Sequence, residues 1–408
     1  MSNEILMPYR AEIDQARFVA PTVRNSVGAQ PFGVAERGYR GYYRAVRELL
    51  LHDYHLGEGG RFKCLGNAEV VDNYGDPLAE YEALRRSAGV LDLSFRGRLC
   101  VLGVDRERFL NGQTTNNVKA LKPGEGCYTA MVTARGRMES DAFLYRLDQE
   151  MLLDVEPGMA PVVAARFEKF IIADDVQVVD VALHYGLLSV QGPSAGAVLA
   201  RLKLGNELPI RPFAVSRHQD AGLGEVYLIN QPRTGGTGYD VFVPASALAG
   251  MAERLAEAAR ESSGRLCGWD ALETARVEEG IPRFGADMDE TTLAPEAGIE
   301  ARAISYTKGC YVGQEVIARV RTYGRVARAL RGLRLADGLV QLPVKGDKLS
   351  KDGKEVGYIT SAVASPRMKA NIALAYVRRE VNAIGTDLAL LSASGRSEAW
   401  IVPIPFVG

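Results

Sequence analysis

Cysteine is scarce in this chain: Cys64, Cys100, Cys127, Cys267 and Cys310 are all there are in 408 residues, and no two form a Cys-x-x-Cys pair. Such spacing excludes a disulfide framework and a cysteine zinc site, and it suits a reducing compartment. Histidine numbers four, and only His52 and His55 lie close together, a pair too small to specify a metal. An excess of charge is missing as well. The 49 basic and 50 acidic residues leave a net charge of -1, so no broad field draws the chain onto phosphate backbones, and nucleic acid is not an expected partner. No apolar run approaches the roughly 18 residues that span a bilayer. Met1 to Arg10 lack the basic and apolar regions of a secretory signal. The expectation is a cytoplasmic protein with no membrane partner.

What is present is an ordinary globular composition, 47% hydrophobic and 24% charged. Residues 1–48 are rich in Tyr, Arg and Gly, as in Arg37-Gly38-Tyr39-Arg40-Gly41-Tyr42-Tyr43-Arg44. Such alternation could stack on bases, but it reads more simply as an N-terminal extension laid on the surface. From Tyr81 the pattern is regular. Arg98 to Gly103 reads as a strand, with Asp105 capping a short helix that Gly112 ends. Met151 to Val155 and Leu187 to Gln191 are further strands, Pro161 to Ile171 and Ser194 to Leu202 are helices, and Gly268 to Glu279 is amphipathic. The short spacings favour an α+β arrangement over a doubly wound parallel sheet. After Arg325 short alternating stretches broken by Gly, Asp and Pro read as a small β-barrel or sandwich. The organisation expected is an extension over 1–48, a core of two intertwined α+β lobes over 49–324, and a C-terminal barrel over 325–408.

The densest chemical feature is Lys308-Gly309-Cys310-Tyr311-Val312-Gly313-Gln314-Glu315, with a helix expected to begin near Gly313. Cys310 then sits in the turn before a helix N-terminus, with Lys308 two residues away, a setting that favours thiolate. The bland alternative is a small buried hydrophobe. Asp141, in Ala134 to Tyr145, sits after the Gly136 turn at a strand entrance, where it can bond a ring N–H, take a proton, or merely be solvated. Gln231 to Asp240 holds three glycines in four positions without the Lys-Ser/Thr of a phosphate loop, so a hairpin with glycine at positive φ is expected. Arg276, Glu278 and Arg283 form either an interior charge set for a heterocycle and a carboxylate tail, or surface ion pairs of little weight.

Together these segments resemble the glycine-cleavage T-protein group. Ser87 to Ser94, Gly136 to Tyr145, Leu188 to Pro193, Ala275 to Pro282 and Leu293 to Gly298 carry the likeness, over roughly 350 residues. The resemblance implies a three-part cloverleaf of the aminomethyltransferase type with tetrahydrofolate in a central channel. Within that group Lys308 to Glu315 is similar to the signature of the YgfZ branch, folate-binding proteins tied to iron-sulfur cluster assembly or repair and to tRNA modification. That likeness implies Cys310, backed by Lys308 and Tyr311, as the working group, with iron-sulfur proteins or cluster carriers as partners. Asp141 falls where the aminomethyltransferases keep an aspartate near the reactive folate nitrogen, which implies the alternative of one-carbon transfer to tetrahydrofolate. The turn after Arg233 lacks the glutamate with which those enzymes grip the pterin. That loss costs on the order of 2 kcal/mol unless another carboxylate, such as Glu278, substitutes. The ligand contacts so implied are Asp141, Arg233, Arg276, Glu278 and Tyr311.

Overall fold

The computed structural model describes residues 46–205, 207–324 and 326–406; the Tyr/Arg-rich stretch of the expected extension lies outside them. The chain is already tied into the fold at Arg47, which bridges to Ala68, and Leu49 and Leu51 are buried.

The first lobe is a five-stranded antiparallel sheet in the order Glu125–Val132, Met138–Arg146, Met151–Val155, Gly97–Leu102 and Gln177–Asp180. Strand Met138–Arg146 shows how the period of two sorts its residues. Ala142 and Leu144 enter the core with Leu99, Leu153 and Phe167. Asp141 and Phe143, on the other face, line the central cavity. Asp141 is thus inside the strand, paired with Ala130, rather than at its entrance.

The second lobe is a six-stranded sheet ordered Val215–Asp220, Gly224–Asn230, Gly238–Pro244, Tyr185–Gln191, Gly89–Asp92 and Arg265–Leu266, with only the last pair parallel. Helix Leu248–Glu261 closes its core through Leu248, Met251 and Leu255. The glycine-rich segment is the expected hairpin turn, with Gly235 at φ 81°.

Two local expectations change. The helix after the first lobe's Gly97–Leu102 strand runs Arg106–Gln113, straight through Gly112. Asp105 is its N-cap by position, but its carboxylate accepts from the backbone of Asp175 at 3.0 Å and from the Arg108 side chain rather than from the helix backbone. The helix after the cysteine segment is Gln314–Tyr323, capped by Gly313 at φ 82°. A side chain at Gly313 would strike the Thr133 carbonyl, so only glycine fits this approach of helix to sheet.

The C-terminal strands close a six-stranded barrel in the order Arg328–Leu335, Ala370–Arg378, Lys354–Ser365, Lys348–Lys351, Asp387–Ser392 and Gly395–Val402. Its interior holds Leu333, Ile359, Leu390 and Ile401, and closure leaves no unpaired edge. The barrel docks on helix Trp269–Glu278: Val277 packs with Leu330, Leu374 and Tyr376, and Ser365 donates to Glu278 at 2.5 Å. The fold is the α+β cloverleaf with a C-terminal barrel that the sequence led us to expect. Among the described residues no helix is long and apolar enough to cross a membrane.

Candidate functional site

A cavity lies where the two sheets meet helix Trp269–Glu278. The helix contributes Trp269, Leu272, Glu273 and Arg276, the i, i+3, i+4, i+7 stripe of a single face. The five-stranded sheet contributes Tyr128, Asp141 and Phe143, and the hairpin turn contributes Gln231, Pro232 and Arg233.

Asp141 is the chemical centre of this wall. It is 7% exposed, and the Tyr128 phenol donates to its Oδ2 at 2.7 Å. Burial, then the charge of Glu156, push its carboxyl up to about 7, while the Tyr128 bond and Arg96 pull the other way. A carboxyl poised there exists in both protonation states near neutrality, which is what a proton acceptor or an orienting acceptor needs.

The cationic wall is braced from behind. Arg96 donates to Asp154 at 2.6 Å and to Glu156 at 2.5 Å. Arg233 donates to the other oxygen of Asp154 at 2.6 Å and to Asp240, and its guanidinium lies 5.4 Å from the centre of the Phe143 ring. Burial alone would raise Asp154, but Arg96 and Arg233 hold it below the usual carboxylate range. Removing one partner from such a buried set costs about 3–5 kcal/mol. Arg276 is likewise spent on Glu273 at 2.9 Å, Asp287 at 2.5 Å and Ser361 at 2.7 Å. Arg283 stands over Trp269 at 4.9 Å and pairs with Glu273.

Asp141, Arg233 and Arg276 are therefore brought together at the cavity. Glu278 is not. Two residues on from Arg276, it faces roughly 200° away around the helix, where Tyr81, Arg85 and Ser365 all donate to it. Glu278 is thus no stand-in for the missing glutamate. Tyr311 is buried behind the wall, packed with Tyr128, Ile299 and Ile304. The Lys308 ammonium is enclosed by the carbonyls of Asn111, Thr114 and Asn116 at 2.5–2.7 Å. It is thereby committed to the backbone rather than to Cys310. Cys310 itself is a free, exposed thiol outside the cavity lining, which corrects the alternative of a buried hydrophobe. Among the described residues no group of three or more His, Cys, Asp and Glu could hold a metal ion.

Sequence reading missed Tyr128, Glu156, Gln231, Trp269 and Arg302. The amphipathic pattern of Gly268 to Glu279 gave a usable signal for Trp269 as an apolar position, with no ligand role attached to it. Nothing local marks Tyr128, which meets Asp141 through sheet register alone. Gln231 is 1% exposed, and neither of its side-chain amide atoms has a partner; Arg302 is exposed at the rim, 5.2 Å over the Tyr128 ring.

Residues 51–308 match the family model described as the GCVT N-terminal domain, and residues 328–407 match the glycine cleavage T-protein C-terminal barrel domain. The chain is 30% identical to an aminomethyltransferase of Geobacillus kaustophilus, over 84% of this chain and 93% of that one. It is 29% identical to one of Symbiobacterium thermophilum, over 89% and 97%. The crystal structure of glycine cleavage system aminomethyltransferase T from Bartonella henselae superposes with a TM-score of 0.81 at 23% identity, covering 89% of this chain and 98% of that one.

Proposed function

Because the chain belongs to the glycine-cleavage T-protein family of aminomethyltransferases, we propose that it binds tetrahydrofolate in the Asp141 cavity and transfers a one-carbon unit to it. The observation that carries this reading is Asp141, a buried carboxyl held at about 7 in the wall of a cavity it shares with Trp269, Phe143 and Arg233.

The donor set fits such a ligand. Trp269, Leu272, Phe143 and Pro232 offer apolar and aromatic surface for flat rings. The unpartnered amide of Gln231 offers two N–H donors and a carbonyl acceptor where the hairpin lacks a glutamate. Leaving such a group buried and unmatched costs about 1–3 kcal/mol, which a bound heterocycle recovers. Arg302, exposed and paired with no carboxylate among the described residues, suits an anionic tail. Tetrahydrofolate would supply a nucleophilic ring nitrogen that accepts the one-carbon unit. The chain's part is to accept a ligand N–H or its proton at ionised Asp141, to fix that carboxylate through Tyr128, and to exclude water with the Trp269 and Phe143 rings. The test is formation of methylene-tetrahydrofolate from an aminomethyl donor, with release of the donor's amine and no change of oxidation state, which wild type should support and Asp141→Asn should lose; a wild type inactive with every such donor removes the reading.

A second reading follows from Lys308 to Glu315, an accessory factor of the YgfZ type for iron-sulfur cluster assembly or repair. The exposure of Cys310 favours it. The Lys308 ammonium is directed at three backbone carbonyls, so it gives this reading no support. Transfer chemistry at Asp141 therefore stands first. Cys310→Ser should abolish rescue of a cluster-dependent enzyme on the second reading and leave one-carbon transfer intact on the first.

A further inference from the structure

We propose that Lys308 is a positioning residue: its ammonium clasps the end of helix Arg106–Gln113 and the turn that follows it, over 111–116, and, through Asn116, fixes the two cavity-lining residues Tyr128 and Arg302. The inference deepens the tetrahydrofolate reading, and its consequences for ligand rest on that reading.

Lys308 is 8% exposed, and among the described residues no carboxylate pairs with it. A buried ammonium without a counter-ion persists only where each N–H has an acceptor. Here three carbonyls take the three N–H groups, those of Asn111 at 2.5 Å, Thr114 at 2.7 Å and Asn116 at 2.7 Å. The Tyr311 ring lies 4.8 Å from the nitrogen. The segment that carries Lys308 is tied to the same turn by Val312, whose N–H donates to the Gly112 carbonyl at 3.1 Å.

Asn116 carries the constraint onward. Its carbonyl is bound by Lys308, while its side-chain amide donates to the carbonyls of Tyr128 at 2.9 Å and Arg302 at 3.0 Å. Thr115 beside it donates to the Ala303 carbonyl at 2.6 Å and accepts from the Ala130 N–H at 3.0 Å. Its backbone carbonyl accepts from Ser305 at 3.0 Å. The turn thereby stitches strand Glu125–Val132 to the segment bearing Arg302. The residues so held are the phenol that donates to Asp141 and the guanidinium that overlies that phenol. Lys308 touches no reacting atom, and it acts by keeping these two in register.

The test compares Lys308→Met, Asn116→Ala and the double variant in the ligand-free protein. Amide exchange at Ala130 and Ser305 should quicken about tenfold or more in each single variant, with the double no faster than the faster single, as expected of one pathway. The Asp141 midpoint, followed by carboxylate ¹³C resonance, should rise in both singles, because the weakened Tyr128 bond is what holds it down against burial and Glu156. Arg96, Glu156, Arg233, Glu273, Arg276 and Arg283 line the same cavity and are not bonded to Lys308 or Asn116, whereas Arg302 loosens together with Tyr128. Exchange and midpoint at wild-type values in Lys308→Met, or quickening spread evenly over the core, would overturn the proposal. Should that variant not fold, Asn116→Ala decides on the same two readouts, since it leaves the three carbonyls in place. Tetrahydrofolate titrated into the same proteins should bind about tenfold more weakly to each single variant. No binding to wild type sinks the folate reading while the exchange result still decides the clasp.

Discussion

Tyr128 and Asp141 stand diagonally across one antiparallel strand pair, Tyr128 opposite Phe143 and Asp141 opposite Ala130, and the phenol reaches the carboxylate at 2.7 Å. Diagonal neighbours of this kind lie within reach of an aromatic side chain. The bond stabilises the ionised form of Asp141 against burial and Glu156. Tyr128→Phe should therefore raise the Asp141 midpoint above about 7 by roughly one unit, since a hydrogen bond to a charged group contributes about 1.5–3 kcal/mol. A pH titration of folate affinity in the variant checks this, and an unmoved midpoint would separate Tyr128 from the chemistry.

Asp141 also gives folding a pH dependence. Its folded value is raised, so between the usual carboxylate range and about 7 the folded protein keeps a proton that the unfolded chain has lost. Its contribution to stability is thus full below that window, falls as pH rises through it, and levels off above about 7. Asp141→Asn should gain on wild type between pH 5 and pH 8 by on the order of 2 kcal/mol, read from denaturant midpoints at the two pH values.

Glu278 belongs to the joint between lobe and barrel. Tyr81, Arg85 and Ser365 converge on its carboxylate, so Glu278→Ala should cost about 3–5 kcal/mol by leaving Arg85 short of its buried partner. Denaturant unfolding measures the loss. Tetrahydrofolate affinity of the folded variant should stay within about twofold, because the side chain lies outside the cavity wall.

Gly313→Ala tests the helix start. At φ 82° with the Thr133 carbonyl in the path of a new Cβ, the substitution should lower stability by about 1–3 kcal/mol, seen as a reduced melting temperature.

Much of this was legible in the sequence. Strand Met151–Val155 and the start of helix Gln314–Tyr323 followed from periodicity and glycine placement. So did the barrel, whose alternating stretches each bury one face. The resemblance to T-proteins located Asp141 and Arg233. What stayed hidden depends on contacts distant in sequence. Arg233 meets Asp154 across 79 residues and Lys308 meets Asn116 across 192, and no local pattern encodes such pairs. Glu278 was misplaced because charge was read without its angle on the helix. Lys308 was assigned to Cys310 by nearness in sequence, whereas its three N–H groups find carbonyls on another element.

The most direct test is calorimetric titration of tetrahydrofolate into wild type and Asp141→Asn at pH 6 and pH 8. Wild type should bind more tightly at pH 8, where Asp141 is ionised and can accept a ligand N–H, and Asp141→Asn should be at least tenfold weaker there with little pH dependence. A wild type that binds no tetrahydrofolate, or an Asp141→Asn variant that matches it at pH 8, would contradict the account.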